Sequence, residues 1–152
     1  MVYFKGIIYT RNWKKLKLEH DLTEVMFETK TRGELELERR LIASIEYSFE
    51  DRLAIAVVTQ QMYKDTDTTE DQCEYIASIP RQISGVMVGV TIKERKNGTY
   101  KASLRTRKPL NAATICEKVG GGGHSNAAGC RFSGSLEEFK QALREAVAEE
   151  LK

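Results

Sequence analysis

Residues 120–129, with the sequence GGGGHSNAAG, have the residue types best suited to binding an anion. Consecutive glycines adopt backbone conformations that other residues avoid, and their successive N–H groups can converge on a negative charge. His124 adds a side-chain donor that is cationic or neutral near pH 7. A flexible linker would continue with more Gly and Ser, whereas this run ends in small residues. The segment predicts a loop that binds a phosphate-sized anion; the alternative is a loop that merely connects a helix to a strand.

Arg105, in the segment Ser103-Leu104-Arg105, is the second candidate for the same chemistry. A guanidinium presents a planar fork of donors that binds two phosphate oxygens at once, which lysine cannot reproduce. Ser103 can donate one hydroxyl hydrogen bond to a phosphate, although a structural bond to a neighbouring strand explains it equally well. Asn126 is expected to orient the glycine loop, to contact a base, or to tolerate a left-handed turn.

The sequence does not predict a metal centre or a catalytic residue. Hydrolysis at a two-metal site needs several carboxylates and imidazoles around ions that lie about 3.5–4 Å apart. His20 and His124 are the only histidines, and the acidic residues fall mostly on the polar faces of helical patterns. We therefore expect neither metal ligands nor catalytic groups in this chain.

Composition narrows the class of protein. The 152 residues suit one globular domain, and 24 Lys+Arg against 22 Asp+Glu leave a net charge of +2, so nucleic-acid binding must depend on a local patch. Cys73, Cys116 and Cys130 fit neither a disulfide framework nor a zinc site, which predicts buried reduced thiols. No apolar stretch reaches the roughly 18 residues that span a membrane, and the start lacks signal-peptide features. We expect a soluble, cytoplasmic protein.

Beyond residue 33, helical patterns occur at four places. A stripe that begins at Glu34 predicts a connector helix that runs into Arg52, with Leu37, Leu41, Ile42, Ile45 and Phe49 on its apolar side. Capping boxes at residues 69–72 and 135–138 predict two further helices, the first ended by Pro80 and the second running to the C-terminus. Asn111 is expected to cap a short helix that ends at Val119, immediately before the glycine loop.

Strand patterns lie between these helices. The apolar, β-branched residues 53–59 predict a strand buried on both faces, and residues 127–132 predict a last strand. Residues 86–95 and 99–107 predict a hairpin. A two-residue turn would put charges on its apolar face, whereas a three-residue loop ending in Gly98 pairs Ile92 with Ala102 and Val90 with Leu104. The opposite face then carries Lys101, Ser103, Arg105 and Arg107 beside Gly89 and Thr91, which leave room above Arg105. The fold class is α/β, with a mixed four- to five-stranded sheet flanked by helices.

The glycine motif together with Ser103-Leu104-Arg105 resembles the signature of the C-terminal domain, subtype 1, that accompanies the catalytic domain of the Asp-His-His (DHH) phosphoesterases. The resemblance covers roughly residues 52–151. That superfamily includes nano-RNA and phosphoadenosine-phosphate phosphatases, single-strand exonucleases and cyclic dinucleotide phosphodiesterases. A related domain of alanyl-tRNA synthetases typically has arginine where His124 stands, so the phosphoesterase branch fits better.

The resemblance implies which residues form the site. In the family, the Arg of the Ser-Leu-Arg strand and the His of the glycine motif contact the phosphate or terminal nucleotide of the substrate. These correspond to Arg105 and His124. We place the other candidates in the same substrate-binding site: Ser103, Gly120, Gly121, Gly122, Gly123 and Asn126.

The resemblance also implies partners and a division of the chain. Residues 1–33 would be an uncertain segment or the end of a catalytic domain, residues 34–52 a connector helix, and residues 53–152 the substrate-binding domain. Mn²⁺ is expected on the DHH catalytic domain of the same polypeptide, so this chain would be the inactive half. A nucleotide or short single-stranded nucleic acid is the expected ligand, a homodimer stays open, and no membrane is involved. The alternatives are a standalone nucleic-acid-binding module and a tRNA-synthetase-like accessory domain.

Overall fold

A single mixed sheet organises the computed structural model, which describes residues 29–152. Within that range it has six strands, in the order β1-β2-β3-β4-β6-β5. Strands β2 and β3 are parallel, and the other neighbouring pairs are antiparallel. The strands are β1 Glu46–Ser48, β2 Leu53–Val58, β3 Val88–Glu94, β4 Tyr100–Thr106, β5 Gly122–Gly123 and β6 Ala127–Phe132.

The α/β class is confirmed. The sheet has more than the four or five strands expected, because β1 and β5 are only three and two residues long and give no readable periodicity. Five α-helices accompany the described strands, with a 3-10 helix at Glu74–Ser78. The α-helices are α1 Arg32–Ala43, α2 Gln60–Asp65, α3 Ile79–Gln82, α4 Ala112–Glu117 and α5 Leu136–Glu150.

The two faces of the sheet are covered unequally. On one face α4 and α5 pack over the whole width, from Leu53 on β2 to Cys130 on β6. On the other face α1 and the segment from the 3-10 helix to α3 form a smaller core with β2, in which Leu37 and Leu41 are fully buried. Strand β4 shows the result, since its residues alternate between buried and half-buried. One side of β4, β6 and β5 is therefore left partly open.

The predicted connector helix is correct only in its first half. Helix α1 ends at Ala43, and the chain then forms β1, whose Glu46 pairs with Ile55. Three consecutive residues, Phe49, Glu50 and Asp51, follow with left-handed φ values of 56°, 56° and 62°. The helical spacing misled because Ile42, placed on the apolar stripe, is half exposed, and the pairing with β2 determines the path of the following residues.

The helix predicted from residue 69 is also different in detail. Thr69 and Gln72 make the reciprocal bonds of a capping box, since the Thr69 N–H donates to Gln72 Oε1 at 2.9 Å and the Gln72 N–H to Thr69 Oγ1 at 3.4 Å. The chain then turns, forms the 3-10 helix and continues into α3. Pro80 lies in the first turn of α3, where its missing N–H leaves no bond unmade, so it does not end the helix.

Other local predictions are confirmed. The hairpin has the three-residue-loop register, with Ile92 opposite Ala102 and Val90 opposite Leu104, and Gly98 has a φ of +79°. Strand β6 has the predicted bounds, Asn111 caps α4, and α5 begins with the predicted capping box of Ser135. These signals succeed because each depends on neighbours a few residues away.

Two expectations from composition can be compared with the structure. Cys73, Cys116 and Cys130 are free and buried, as predicted. Over residues 29–152, no helix has both the length and the apolar character that crossing a bilayer requires.

The N-terminal predictions lie almost entirely outside the described residues, which begin at residue 29. Residues 33–152 form one compact unit that contains α1 as well as the sheet. The proposed boundary between connector and substrate-binding domain at residues 52 and 53 stays a prediction.

Candidate anion-binding site

The open side of the sheet is built by strict alternation along three strands. Opposite Arg105 on β4 lies Ala127 on β6, and Ala127 exchanges two backbone hydrogen bonds with His124. The next row joins Ser103, Gly129 and Gly122. Since directly opposite residues share a face, all of these lie on one side. We call this side the polar face and define it as Lys101, Ser103, Arg105, Gly122, His124, Ala127, Gly129 and Arg131.

Strand β4 holds Arg105 between two core positions. Leu104 is fully buried and Thr106 is 2% exposed, so alternation turns the half-buried Arg105 to the polar face. Its guanidinium Nη1 donates to the Leu104 carbonyl at 3.0 Å, and no ion pair with a residue in the range 29–152 engages it. A guanidinium has five N–H donors, so most remain available for an anion.

A tight turn holds His124 at the other end of the same row. The His124 N–H donates to the Ala127 carbonyl at 2.8 Å, and the Ala127 N–H donates back at 3.2 Å. The two loop residues between them are anchored from below, because Thr106 Oγ1 and the Ala112 N–H each donate to the Ser125 carbonyl at 2.8 Å. The backbone that carries the exposed His124 is thus attached to both β4 and α4.

The structure therefore brings Arg105 and His124 to one face. Adjacent strands lie about 4.8 Å apart, so their backbones are separated by about 10 Å across β6. Only the methyl group of Ala127 stands between them in the row, and the long arginine side chain can extend over it. Ser103 lies on the same face in the next row.

Asn126 differs from one of its predicted roles. Its backbone does not occupy the left-handed region, so the residue was not selected to tolerate a left-handed turn. Its backbone carbonyl accepts a hydrogen bond from the Thr106 N–H at 3.1 Å, which attaches the loop to β4 without using the side chain. The side chain is exposed at the tip of the turn, beside the polar face.

The glycine loop needs glycine at most of its positions. Gly120 and Gly123 have φ values of +76° and +150°, which side chains disfavour. A Cβ on Gly121 would lie 2.3 Å from the Gly129 carbonyl oxygen and 2.5 Å from Cys130 Cβ. Gly122 is different, because nothing lies within 4 Å of its Cβ position. Two of the four glycines therefore have dihedrals hostile to a Cβ, a third lacks space for one, and Gly122 could accept one.

Three amides of the loop are not free to contribute to the predicted concavity. The Gly120 and Gly121 N–H groups donate to the carbonyls of Glu117 and Cys116 at 3.1 and 2.8 Å, and the His124 N–H is also engaged. The first two donors bond to the end of α4 and the third closes the turn before β6, so none of the three points at an anion. The Arg105 and His124 side chains are therefore the main candidates for binding an anion at this face.

Part of the space expected above Arg105 is filled. On β3, a Cβ on Gly89 would lie 2.4 Å from the Arg81 nitrogen, and Thr91 is fully buried under the 3-10 helix, so α3 and that helix fill the space. Arg107, predicted on the same face, is engaged with the backbone, because its guanidinium donates to the carbonyls of Val86 and Arg81. Arg105 has open space toward β6, where Ala127 and Gly129 are small, and along a cleft that it lines together with Ser103 and Glu74.

Sequence reasoning missed a buried cation at the edge of the polar face. Lys93 on β3 is 4% exposed, and its Nζ lies 3.7 Å from Glu70 Oε1, while Arg95 Nη1 lies 2.8 Å from Glu70 Oε2. Burial lowers the pKa of Lys93, and the Glu70 carboxylate opposes that shift. Glu70 lies in a turn far from β3 in sequence. The only sequence signal for this site is therefore that Lys93 falls on the same face of β3 as Thr91.

Lys93 opens onto a cleft of about 690 Å³ beside the polar face. One wall is acidic and comes from the segment around the 3-10 helix, and the other is basic and comes from β3 and β4. The charged lining residues are Glu70, Asp71, Glu74, Lys93, Arg95, Lys101 and Arg105. Lys93 and Arg105 therefore line the same cleft.

The chemistry available at this face is binding by charge and hydrogen bonds. Over residues 29–152, no group of three or more His, Cys, Asp or Glu side chains is placed to hold a metal ion. The donors that the face does present are a guanidinium, an imidazole, a hydroxyl and two further cations, Lys101 and Arg131. Such a face can bind and orient an anionic ligand.

Comparison with curated proteins gives two relatives. The chain is 36% identical over 96 residues to the bifunctional oligoribonuclease and PAP phosphatase NrnA of Thermus thermophilus, covering 62% of this chain and 29% of that protein. It is 39% identical over 66 residues to the cyclic-di-AMP phosphodiesterase GdpP of Geobacillus thermodenitrificans, covering 43% of this chain and 10% of that protein. The chain therefore matches less than a third of either relative.

A solved structure shows the same fold. An exopolyphosphatase-related protein from Bacteroides fragilis superposes with a TM-score of 0.74 at 24% identity, covering 88% of this chain and 41% of that one. The model of the DHHA1 domain family matches residues 51–152, which include β2 to β6 and the whole polar face. The chain belongs to the DHHA1 domain family, as its glycine motif and its Ser-Leu-Arg strand predict.

Proposed function

We propose that this chain is the substrate-binding part of a DHH-family phosphoesterase and holds the phosphate and terminal nucleotide of its substrate. The observation that carries the proposal is the row of Arg105, Ala127 and His124 on an open face. A guanidinium and an imidazole separated by a methyl group can bind one phosphate from two sides. Ser103 adds a hydroxyl donor from the adjoining row.

The proposed role in the reaction is positioning. A DHH catalytic domain, in the same polypeptide, would supply the Mn²⁺ that activates water for hydrolysis. Arg105 and His124 would neutralise the bound phosphate and hold the nucleotide in one orientation, so that the scissile bond stays in place against the catalytic domain. Holding reactants in a defined geometry and placing donors in advance both lower the barrier of such a step.

The proposed substrates are small nucleotides or short single-stranded RNA. The names of NrnA and GdpP support this class, since an oligoribonuclease, a PAP phosphatase and a cyclic-di-AMP phosphodiesterase all act on nucleotide phosphates. The small residues Gly122, Ala127 and Gly129 leave room for a sugar or base beside the phosphate. The free thiols Cys73, Cys116 and Cys130 suit the reducing cytoplasm as the place of this function.

Titration of the full chain with adenosine 3′,5′-bisphosphate and with the 5′-phosphorylated dinucleotide pApA tests the proposal. We expect both to bind, with the same affinity in Mn²⁺ and in EDTA, and neither to be hydrolysed by the chain alone. Absence of binding by both ligands would show that the polar face is not a nucleotide site. Metal-dependent hydrolysis by the pure chain would show that the division of labour is wrong.

A further inference from the structure

A second pair of cations lies at the far end of the polar face. Lys101 on β4 and Arg131 on β6 are directly opposite each other, in a row that continues to Lys93 on β3. Like charges in directly opposite positions of neighbouring strands destabilise a sheet. Lys93 is compensated by Glu70, whereas Lys101 and Arg131 make no ion pair with any residue in the range 29–152. Their mutual repulsion is left for another group to relieve.

A groove lies between these two cations and the glycine loop. It has a volume of about 350 Å³, and Lys101 and Arg131 are its only charged lining residues. Gly120, Gly121, Gly122, Gly129 and Cys130 complete the lining. The acidic residues belong to the far wall of the neighbouring cleft and do not line this groove. All the charged side chains that line the groove are therefore positive.

A smooth surface connects the two cationic ends. Between Arg105 and Lys101 lies the row of Ser103, Gly129 and Gly122, in which two of three residues have no side chain. Four residues of an antiparallel strand separate the ends, which corresponds to about 13 Å. The polar face is therefore a trough with positive charge at both ends and backbone in the middle.

We propose that Lys101 and Arg131 form a second phosphate subsite, and that the ligand of the polar face is a single-stranded oligonucleotide lying along β4 and β6. One phosphate occupies the end formed by Arg105 and His124, and a later phosphate of the same strand occupies the end formed by Lys101 and Arg131. A mononucleotide fills only the first end. This assignment rests on the proposed function for the first end and adds the length of the substrate to it.

Comparison of two ligands by titration of the full chain separates the two ends. The probes are 5′-AMP and a 5′-phosphorylated tetra-adenylate, measured at several salt concentrations. We expect Arg131→Ala to weaken tetra-adenylate binding by about tenfold and to leave 5′-AMP binding unchanged, because one charge-assisted contact is lost. The slope of log affinity against log salt for tetra-adenylate should fall by about 0.7, the value for one phosphate contact of a single strand. Arg105→Ala should weaken the binding of both ligands.

A charge reversal at Arg131 separates a loss of binding from a loss of folding. Arg131→Glu places a carboxylate opposite Lys101, so it should raise the melting temperature of the free chain while it lowers tetra-adenylate affinity further than Arg131→Ala does. The matched control is Arg144→Ala, on α5 in the layer behind the sheet, where the guanidinium pairs with Glu46 at 2.7 Å. This control should leave the affinity of the folded chain for both ligands unchanged.

The outcomes distinguish the second subsite from the first. If both Arg131 variants bind tetra-adenylate with the wild-type affinity and salt slope while Arg105→Ala weakens both ligands, the second subsite is wrong and the first stands. If Arg105→Ala changes the binding of neither ligand, the proposed function fails and the second subsite fails with it.

Discussion

Arg105 and His124 occupy one cross-strand row of the sheet, separated only by Ala127. They lie 19 positions apart in the chain. Strand β6, which lies between them, also carries Gly129, the glycine of the motif that lies opposite Ser103. Because the His124 turn is attached to Thr106 of β4, both donors are held by the same strand. We therefore expect them to act on one ligand and to be sensitive to each other's loss.

Replacing either donor by alanine tests this relationship. Arg105→Ala and His124→Ala should each weaken the binding of adenosine 3′,5′-bisphosphate by about 1.5–3 kcal/mol, roughly ten- to hundredfold. The double variant should lose less than the sum, because residues that share a ligand are not independent. Calorimetric titration provides the affinities.

The control is Ser135→Ala, which removes the cap of α5 and should lower stability by about 1 kcal/mol without changing the affinity of the folded chain. Wild-type affinity in both site variants would contradict the assignment.

Two neighbouring glycines should respond differently to a side chain. Gly121→Ala puts a Cβ against the Gly129 carbonyl and Cys130, and overpacking of this kind typically costs about 1–3 kcal/mol. Gly122→Val adds a side chain to open space on the polar face, so it should fold normally and block the ligand. The expected cause is steric exclusion of the ligand, because the backbone at Gly122 can accept a Cβ. Thermal melts with ligand titrations measure both; normal binding by folded Gly122→Val would place the ligand elsewhere.

Removing the positive or the negative charge of the buried Lys93–Glu70 pair should change the stability of the chain unequally. Glu70→Gln leaves the Lys93 ammonium buried without its carboxylate and should destabilise the chain by about 1–3 kcal/mol. Lys93→Met keeps the apolar stem and removes the charge, so it should be neutral or stabilising. Denaturant unfolding of both variants and of the double variant measures this. The double variant should recover much of the loss, and equal destabilisation by both single variants would contradict the explanation.

The ion pairs between β1 and α5 should make stability depend on acid. A hydrogen bond from Lys140 is the main cause that lowers the pKa of Glu46, with Arg144 adding to it and partial burial opposing it. A carboxyl whose native pKa is lowered contributes stability above its unfolded pKa of about 4.3 and loses that contribution as the pH falls through the native value. Glu46→Gln should lower the melting temperature at pH 7 and flatten its decline below pH 5. The control is Glu117→Gln on exposed α4 surface, which should keep the wild-type profile; a parallel profile for Glu46→Gln would rule out this pair as the cause.

Local signals in the sequence were sufficient for several elements of the fold. The caps at Asn111 and Ser135, the apolar run of β2 and the hairpin register each depend on residues that are close in the chain or on one choice of buried face. The glycine motif indicated the family for the same reason, since residue types and short spacing carry that information. These features could be predicted because alternatives within the same few residues were clearly worse.

The tertiary structure decided which parts of the sheet stay open. Packing of α3 on Gly89 closes the face over β3, carbonyls at the end of α4 engage the amides of Gly120 and Gly121, and Glu70 reaches Lys93 from a distant turn. None of these follows from local spacing, because each joins segments that meet only after the helices pack on the sheet. The sequence by itself determined the family and the residues available for binding. Only long-range packing determined which of them share a face, which donors remain free, and that the face has two cationic ends.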